Sequence, residues 1–202
     1  MKLNKVLALA LSGVMAVSML AGCSGNGSNN GGSSSGEEQG NTNAVVEAVM
    51  NAQDGNDVVV DFSYSTDLQN SLELAINAAG HDAAEAAVTS KLLTVLDIDG
   101  NGWFSNLNGY AKSVDTLDTE TAVKVYKVEG NVLESAAVKS AASEINTELK
   151  QLIAEQTDSN IVYTYTYSGE TAMVTVEKIN GDVVYYIAYT VDCATTRALA
   201  DA

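Results

Sequence analysis

Asp97, Asp99 and Asn101 carry side-chain oxygens at every second position, with Gly100 between them and Gly102 after them. Oxygen donors in that pattern suit a hard cation such as calcium. The same composition also makes an ordinary Asp/Asn/Gly turn with no metal. Tyrosine is the second group with chemical content, and six of the nine tyrosines lie between residues 163 and 189. Strand alternation puts Tyr163, Tyr165 and Tyr167 on one face, and Tyr185 and Tyr189 on a common face of their own strand. Exposed, they would form a platform for sugar rings or a protein partner. Buried, they would be core, since Ile161 shares parity with the first set and Val183, Ile187 and Val191 share it with the second. His81 is the only histidine. It follows Gly80 and reads as a solvated residue in a turn between helices. No triad, thiol–imidazole pair or histidine-based metal site is visible. The many carboxylates leave room for an acid/base pair acting on glycans, but no spacing singles one out. Gly32-Ser33-Ser34-Ser35-Gly36 fits a nucleophile-elbow pattern without the strand and helix that must flank it. Cys23 is a thiol preceded by the small residues Ala21 and Gly22, which let an extended backbone enter a peptidase site.

Leu20-Ala21-Gly22-Cys23 resembles the lipobox of bacterial lipoproteins at all four positions. Its context agrees. Lys2 and Lys5 form a positive start, and Val6–Leu20 is an apolar run shorter than the ~20 residues of a membrane span. The resemblance implies cleavage between Gly22 and Cys23, with diacylglyceryl on the Cys23 sulfur. Two or more acyl chains anchor stably where one does not. The segment Asp97–Asn108 resembles the first half of an EF-hand or dockerin calcium loop. That likeness implies side-chain ligands from Asp97, Asp99 and Asn101, a sharp turn at Gly102, the Trp103 carbonyl, and Ser105 at the ninth position. It departs at the twelfth, where Asn108 cannot supply a bidentate carboxylate.

The net charge is −16, and removal of residues 1–22, which contain two lysines and no acid, takes it to −18. Such a surface repels nucleic acid and anionic headgroups, so membrane attachment falls to the lipid. Of the two cysteines, a lipidated Cys23 would leave Cys193 without an intramolecular partner, as a small buried residue at a strand end. Proline is absent altogether. Ser24–Asn41 holds only Ser, Gly, Asn, Glu and Gln, too polar to offset its ordering entropy. The expected organisation is therefore a signal peptide over 1–22 and a lipidated cysteine with a flexible tether over 23–41. The tether's reach is roughly 20–25 Å. One domain would follow over 42–202. Tethers of this kind resemble those of Gram-positive surface lipoproteins, which implies an extracytoplasmic protein held at the cell membrane.

Within that domain, Thr42–Ala52 reads as a helix with Val45, Val49 and Ala52 on one face. Asp57–Tyr64 alternates as a half-buried strand. A Thr66/Gln69 capping box opens a helix bearing Leu68, Leu72, Ile76 and Ala79, which Gly80 stops. Asp82 with Glu85 caps a helix whose inner face is Val88, Leu92 and Val95/Leu96. Thr121–Val128 reads as a strand, marked as an edge by Lys124 and Lys127. Asn131 with Glu134 opens the clearest helix, with Val138, Ala141, Ile145, Leu149 and Leu152/Ile153 in one stripe. Strands at about 160–168, 171–179 and 182–192 follow, the last two joined at Asn180-Gly181. The fold class is α+β: an antiparallel sheet with a C-terminal three-stranded meander and helices packed on one face.

The function these observations favour is a lipid-anchored, non-enzymatic binding or structural module with a protein or glycan partner. The alternatives are a calcium-stabilised module built on the Asp97–Asn108 loop, and a carboxylate-dependent glycan-active enzyme.

Overall fold

The computed structural model describes residues 38–98, 120–130, 132–178 and 180–200. Glu38–Ala202 groups as one compact unit. Its elements run α1 (Glu38–Ala52), β1 (Asp61–Tyr64), α2 (Thr66–Ala79), α3 (Glu85–Val95), β2 (Glu120–Glu129), α4 (Glu134–Leu149), β3 (Glu155–Asp158), β4 (Ile161–Glu177) and β5 (Val183–Leu199). The class is α+β, with a five-stranded, mostly antiparallel sheet in the order β1-β4-β5-β2 and β3 beside β4. Helix α1 begins at Glu38, four residues ahead of the expected start, so the end of the expected tether is helical.

The sheet is organised by one long hairpin. β4 and β5 are each 17 residues long and pair in a single unbroken register, from Ile161↔Leu199 to Glu177↔Val183. The expected turn is present: Gly181, at φ 85°, donates its N–H to Lys178 O, and Lys178 N–H donates to Asp182 O. β2 is an edge strand, as its lysines indicate. The strands expected at 160–168 and 171–179 are one strand, β4, and the C-terminal meander is instead β3-β4-β5. Its first turn is Ser159-Asn160, both at positive φ.

Helices cover both faces of the sheet, not one. Val45 and Val49 of α1 and Val138, Ala141, Ile145 and Leu149 of α4 share a core with Tyr126, Met173, Ile187 and Tyr189. Leu68, Leu72 and Ile76 of α2 and Val88 and Leu92 of α3 share another with Val123, Val125, Val184 and Tyr186. The cause lies in β5, where every residue from Val184 to Val191 is buried. A strand with no solvent side reads as a continuous run rather than an alternation, and it requires a layer on each face.

Two local features explain where the expected strand bounds fail. Gly169 and Glu170 separate two expected strands, yet β4 runs straight through them. Gly169 is opposite Phe62 in the parallel β1·β4 pair, and a Cβ there would overlap the Phe62 ring. The glycine makes room for an aromatic ring across the ladder rather than for a bend. At the start of β1, Val60 is buried and its backbone is satisfied by a side chain. Gln53 Nε2 donates to Val60 O at 2.9 Å, and Val60 N donates to Gln53 Oε1 at 2.8 Å. The expected strand over 57–64 thus keeps its alternation (Val60 and Phe62 in, Val59 and Asp61 out) while only Asp61–Tyr64 pairs in the sheet.

The caps also shift by a residue or two. Ser65, not Thr66, caps α2 by accepting from Leu68 N. Ala84 and Leu133 precede α3 and α4 with no side-chain cap bond. Asp82 and Gln69 are used elsewhere, on Lys178 and Tyr64.

Gly169→Ala is expected to destabilise the domain by about 1–3 kcal/mol through overpacking. The loss should shrink when Phe62→Leu is added. Urea midpoints of the two single variants and the double variant measure this; a loss unaffected by residue 62 would contradict it. Gln53→Ala is expected to cost roughly 1–3 kcal/mol for each buried backbone group it strands. The same urea titration checks it, and a midpoint equal to wild type would show that the amide pair carries no stability.

Candidate functional site

Of the residues expected to do chemistry, Gly22 and Cys23 lie outside the described residues, as do Asp99, Asn101, Trp103, Ser105 and Asn108. Asp97 is described, and it ends α3. It takes φ 54°, its N–H donates to Thr94 O, and the next N–H, of Ile98, reaches back to Leu93 O at 3.0 Å. These bonds satisfy the helix's last free carbonyls in a Schellman-type cap, in which Asp97 occupies the left-handed position usual for glycine. Its side chain is exposed.

The tyrosines do not form a bare platform. Tyr163, Tyr165, Tyr185 and Tyr189 are buried and Tyr167 is half-buried. Tyr185 and Tyr189 belong to the core under α1 and α4, while Tyr163 and Tyr165 pack with Cys193, Ile161 and Tyr167. Cys193 is buried in mid-strand, because β5 continues to Leu199. The outward side of the strand carries Thr164 and Thr166, both exposed.

The buried hydroxyls are tied to specific acceptors. Tyr189 donates to Glu148 Oε2 at 2.6 Å, and Lys124 pairs with the other oxygen of Glu148. Tyr126 stacks on Tyr189 with ring centroids 6.0 Å apart and planes 1° from parallel. The Lys124 ammonium lies 5.1 Å from the Tyr126 ring centre. Burial, then the Glu148 charge, pushes the Tyr126 hydroxyl well above its ordinary range. Burial, then Tyr126 and Glu148, does the same for Tyr189. On the opposite face, Tyr186 Oη lies 3.0 and 3.1 Å from the carbonyls of His81 and Ala83, fixing the turn between α2 and α3. These are structural uses of tyrosine, with the polar tip satisfied and the ring in the core.

Several carboxylates are likewise engaged. Asp192 receives a hydrogen bond from Thr121, and burial raises its pKa against that bond. A hydrogen bond from Lys178 holds Asp82 below the usual carboxylate range. Glu85 Oε1 accepts the backbone N–H of Lys127 at 2.9 Å. Among the described residues, no group of three or more His, Cys, Asp or Glu is placed to hold a metal ion.

Among the described residues, part of the β4 backbone has no strand beside it. Thr171 O accepts from Ser65 N and Tyr165 N donates to Ala154 O, so odd-numbered residues of β4 direct their N–H and C=O away from β5. That outer side is paired by β3 along 161–164 and by β1 along 168–171. From Met173 to Glu177, no described strand continues the ladder. Beside this stretch is a cleft of about 340 Å³. Glu73, Ile76 and Asn77 of α2 and His81 line one side, and Val174–Glu177 line the other. Ile76 is buried and Val174 and Val176 are half-buried, which gives the cleft an apolar floor. Glu73, Asn77, Thr175 and Glu177 are exposed around it. His81 shares a hydrogen bond of 3.0 Å with Asn77. Sequence reading placed His81 correctly in a turn but gave no sign of this edge, because where a strand's neighbour ends is not written in the strand itself.

No protein family matches the chain, and no curated protein or solved structure does.

The tyrosine cluster predicts a pH dependence. The folded-state pKa values of Tyr126 and Tyr189 exceed the ordinary value of 10.0. Their contribution to stability is therefore complete below about pH 10 and is lost as pH rises from there toward the folded values. Melting temperature should fall on alkaline titration, and Tyr189→Phe should flatten that fall while lowering stability at neutral pH. An unchanged slope in the variant would contradict the assignment.

Proposed function

We propose that the chain is a lipid-anchored extracytoplasmic protein whose folded domain works by binding rather than by catalysis. Three lines support this. The Leu20-Ala21-Gly22-Cys23 resemblance, with its positive start and apolar run, supports attachment through Cys23. Glu148, Asp192, Asp82 and Glu85 are taken up by hydrogen bonds and ion pairs that hold the fold, which speaks for structure over acid/base chemistry. The observation that carries the binding role is the outer edge of β4 beyond Thr171, which no described strand pairs, beside an apolar-floored cleft. A strand edge supplies main-chain hydrogen bonds, and the adjoining cleft can select a side chain. Attachment by lipid leaves the acidic surface free to face its partner, and the net charge of −18 left after removal of residues 1–22 opposes docking on an anionic membrane.

Cells expressing the full chain and fed an alkyne-tagged fatty acid should yield labelled protein that added protease can digest from outside. Cys23→Ala should lose the label and leave the membrane fraction. Label persisting in the variant, or a chain wholly protected from protease in intact cells, would contradict the proposal.

A further inference from the structure

Among the described residues, sulfur occurs at Met50, Met173 and Cys193. Met173 and Cys193 are buried, at 7% and 3% exposure. Met50 is half-buried and lines an open cleft of about 500 Å³ at the end of α1, together with Gln53, Asp54 and Val59. Its sulfur also has a structural task. Phe62 N–H donates to Met50 Sδ at 3.5 Å, and Gln53 Nε2 lies 3.7 Å from the same atom while donating to Val60 O. Among the described residues β1 pairs with β4 alone, through the side from which Ser65 N–H reaches Thr171 O. The N–H of Phe62, of opposite parity, points to the other side. Two side chains of the α1 end therefore cover that outer side. Gln53 takes both backbone groups of Val60, and Met50 takes the N–H of Phe62.

We infer that Met50 is an oxidant-sensitive modification site, converted to its sulfoxide by a small neutral peroxide and coupled through its sulfur to the hold of α1 on β1. The step needs no further group. A sulfur lone pair attacks one oxygen of hydrogen peroxide, and the S–O bond forms as the O–O bond breaks. The departing hydroxide takes the proton of the transferred oxygen and leaves as water, so the sulfur is oxidised and the peroxide reduced. Asp54 beside the cleft and the acidic net charge repel an anionic oxidant and leave a neutral one unhindered. The product does not fit where the reactant sat. A thioether sulfur is a weak acceptor that tolerates long contacts. An oxygen set between it and either nitrogen would need ~2.9 Å for its hydrogen bond in addition to the S–O bond, more than the 3.5 and 3.7 Å present. The sulfoxide must withdraw toward the cleft, and Phe62 N–H loses its acceptor. The Phe62 ring packs edge-on to Tyr189 with centroids 6.5 Å apart, so a loosened β1 is felt in the core under α1 and α4. Enzymatic reduction of the sulfoxide restores the thioether, which makes the change reversible.

The test treats the detergent-solubilised full chain with hydrogen peroxide. Digestion and mass spectrometry then follow oxygen uptake at Met50 and Met173 separately. In the folded protein Met50 should oxidise at least about ten-fold faster than Met173, and the two rates should converge in urea, where burial is lost. In the oxidised protein the Phe62 amide should exchange faster and the melting temperature should fall. Both should recover after treatment with methionine sulfoxide reductases. Met50→Leu, which keeps the volume and removes the sulfur, should leave the melting temperature unmoved by peroxide. If that variant fails to fold, recovery of the oxidised wild-type chain after reduction decides the same point. Comparable rates at Met50 and Met173 in the folded protein would overturn the inference. So would oxidation of Met50 that leaves the Phe62 exchange and the melting temperature unchanged, because the sulfur would then hold nothing in place. A peroxide-induced fall in melting temperature that persists in Met50→Leu would put the sensitive group elsewhere and overturn it as well.

Discussion

The burial of β5 on both sides is the constraint on which the rest of the domain depends. From Val184 to Val191 no side chain on this strand reaches solvent, so each face must be closed by a helical layer. α1 and α4 close one face and α2 and α3 the other. The chain order follows from this. β1 is a short connector between the two layers, leaving α1 on one face and leading into α2 on the other. β4 pairs along the whole of β5 and so becomes the frame to which β1 and β3 attach.

Packing so many tyrosines into a two-sided core raises the question of their hydroxyls, since an unbonded buried hydroxyl costs free energy. The answer differs by face. Under α4, Glu148 reaches in from a half-buried position to accept from Tyr189 while Lys124 balances its charge. Under α2 and α3, the backbone of the His81–Ala83 turn takes the Tyr186 hydroxyl. The same economy appears at Val60, where the Gln53 amide stands in for a missing strand. Each case places a polar group where the helical layer meets the sheet.

Much of this was legible in the sequence, and the failures have physical reasons. Helix faces such as Leu68-Leu72-Ile76 and Val138-Ala141-Ile145-Leu149 are buried as their spacing indicates. The Asn180-Gly181 turn and the edge position of β2 also follow from residue type. The second helical layer was missed although its sign was present, in the run Val183–Tyr189, which contains no charged residue, Ser, Thr, Asn, Gln or Gly. Gly169 misled because glycine marks either a turn or a close approach, and only the partner residue Phe62 distinguishes them. The edge of β4 beyond Thr171 is not legible, since it arises where β1 ends at Tyr64 and Ser65 caps the helix that follows. Of the expected site residues, the tyrosines proved to be core, and Cys23 and most of the 97–105 loop fall outside the described residues.

Hydrogen exchange of the β4 amides, followed residue by residue in the free protein, bears directly on how the domain is closed and where it is open. Val174 and Val176 bond toward β5, whereas Thr175 and Glu177 face outward. Alternation is therefore predicted, with slow exchange at 174 and 176, fast exchange at 175 and 177, and slow exchange at Thr171 and throughout Val184–Val191. Uniform protection from 171 to 177 would mean that the outer edge is already covered, and the binding role proposed for it would not hold.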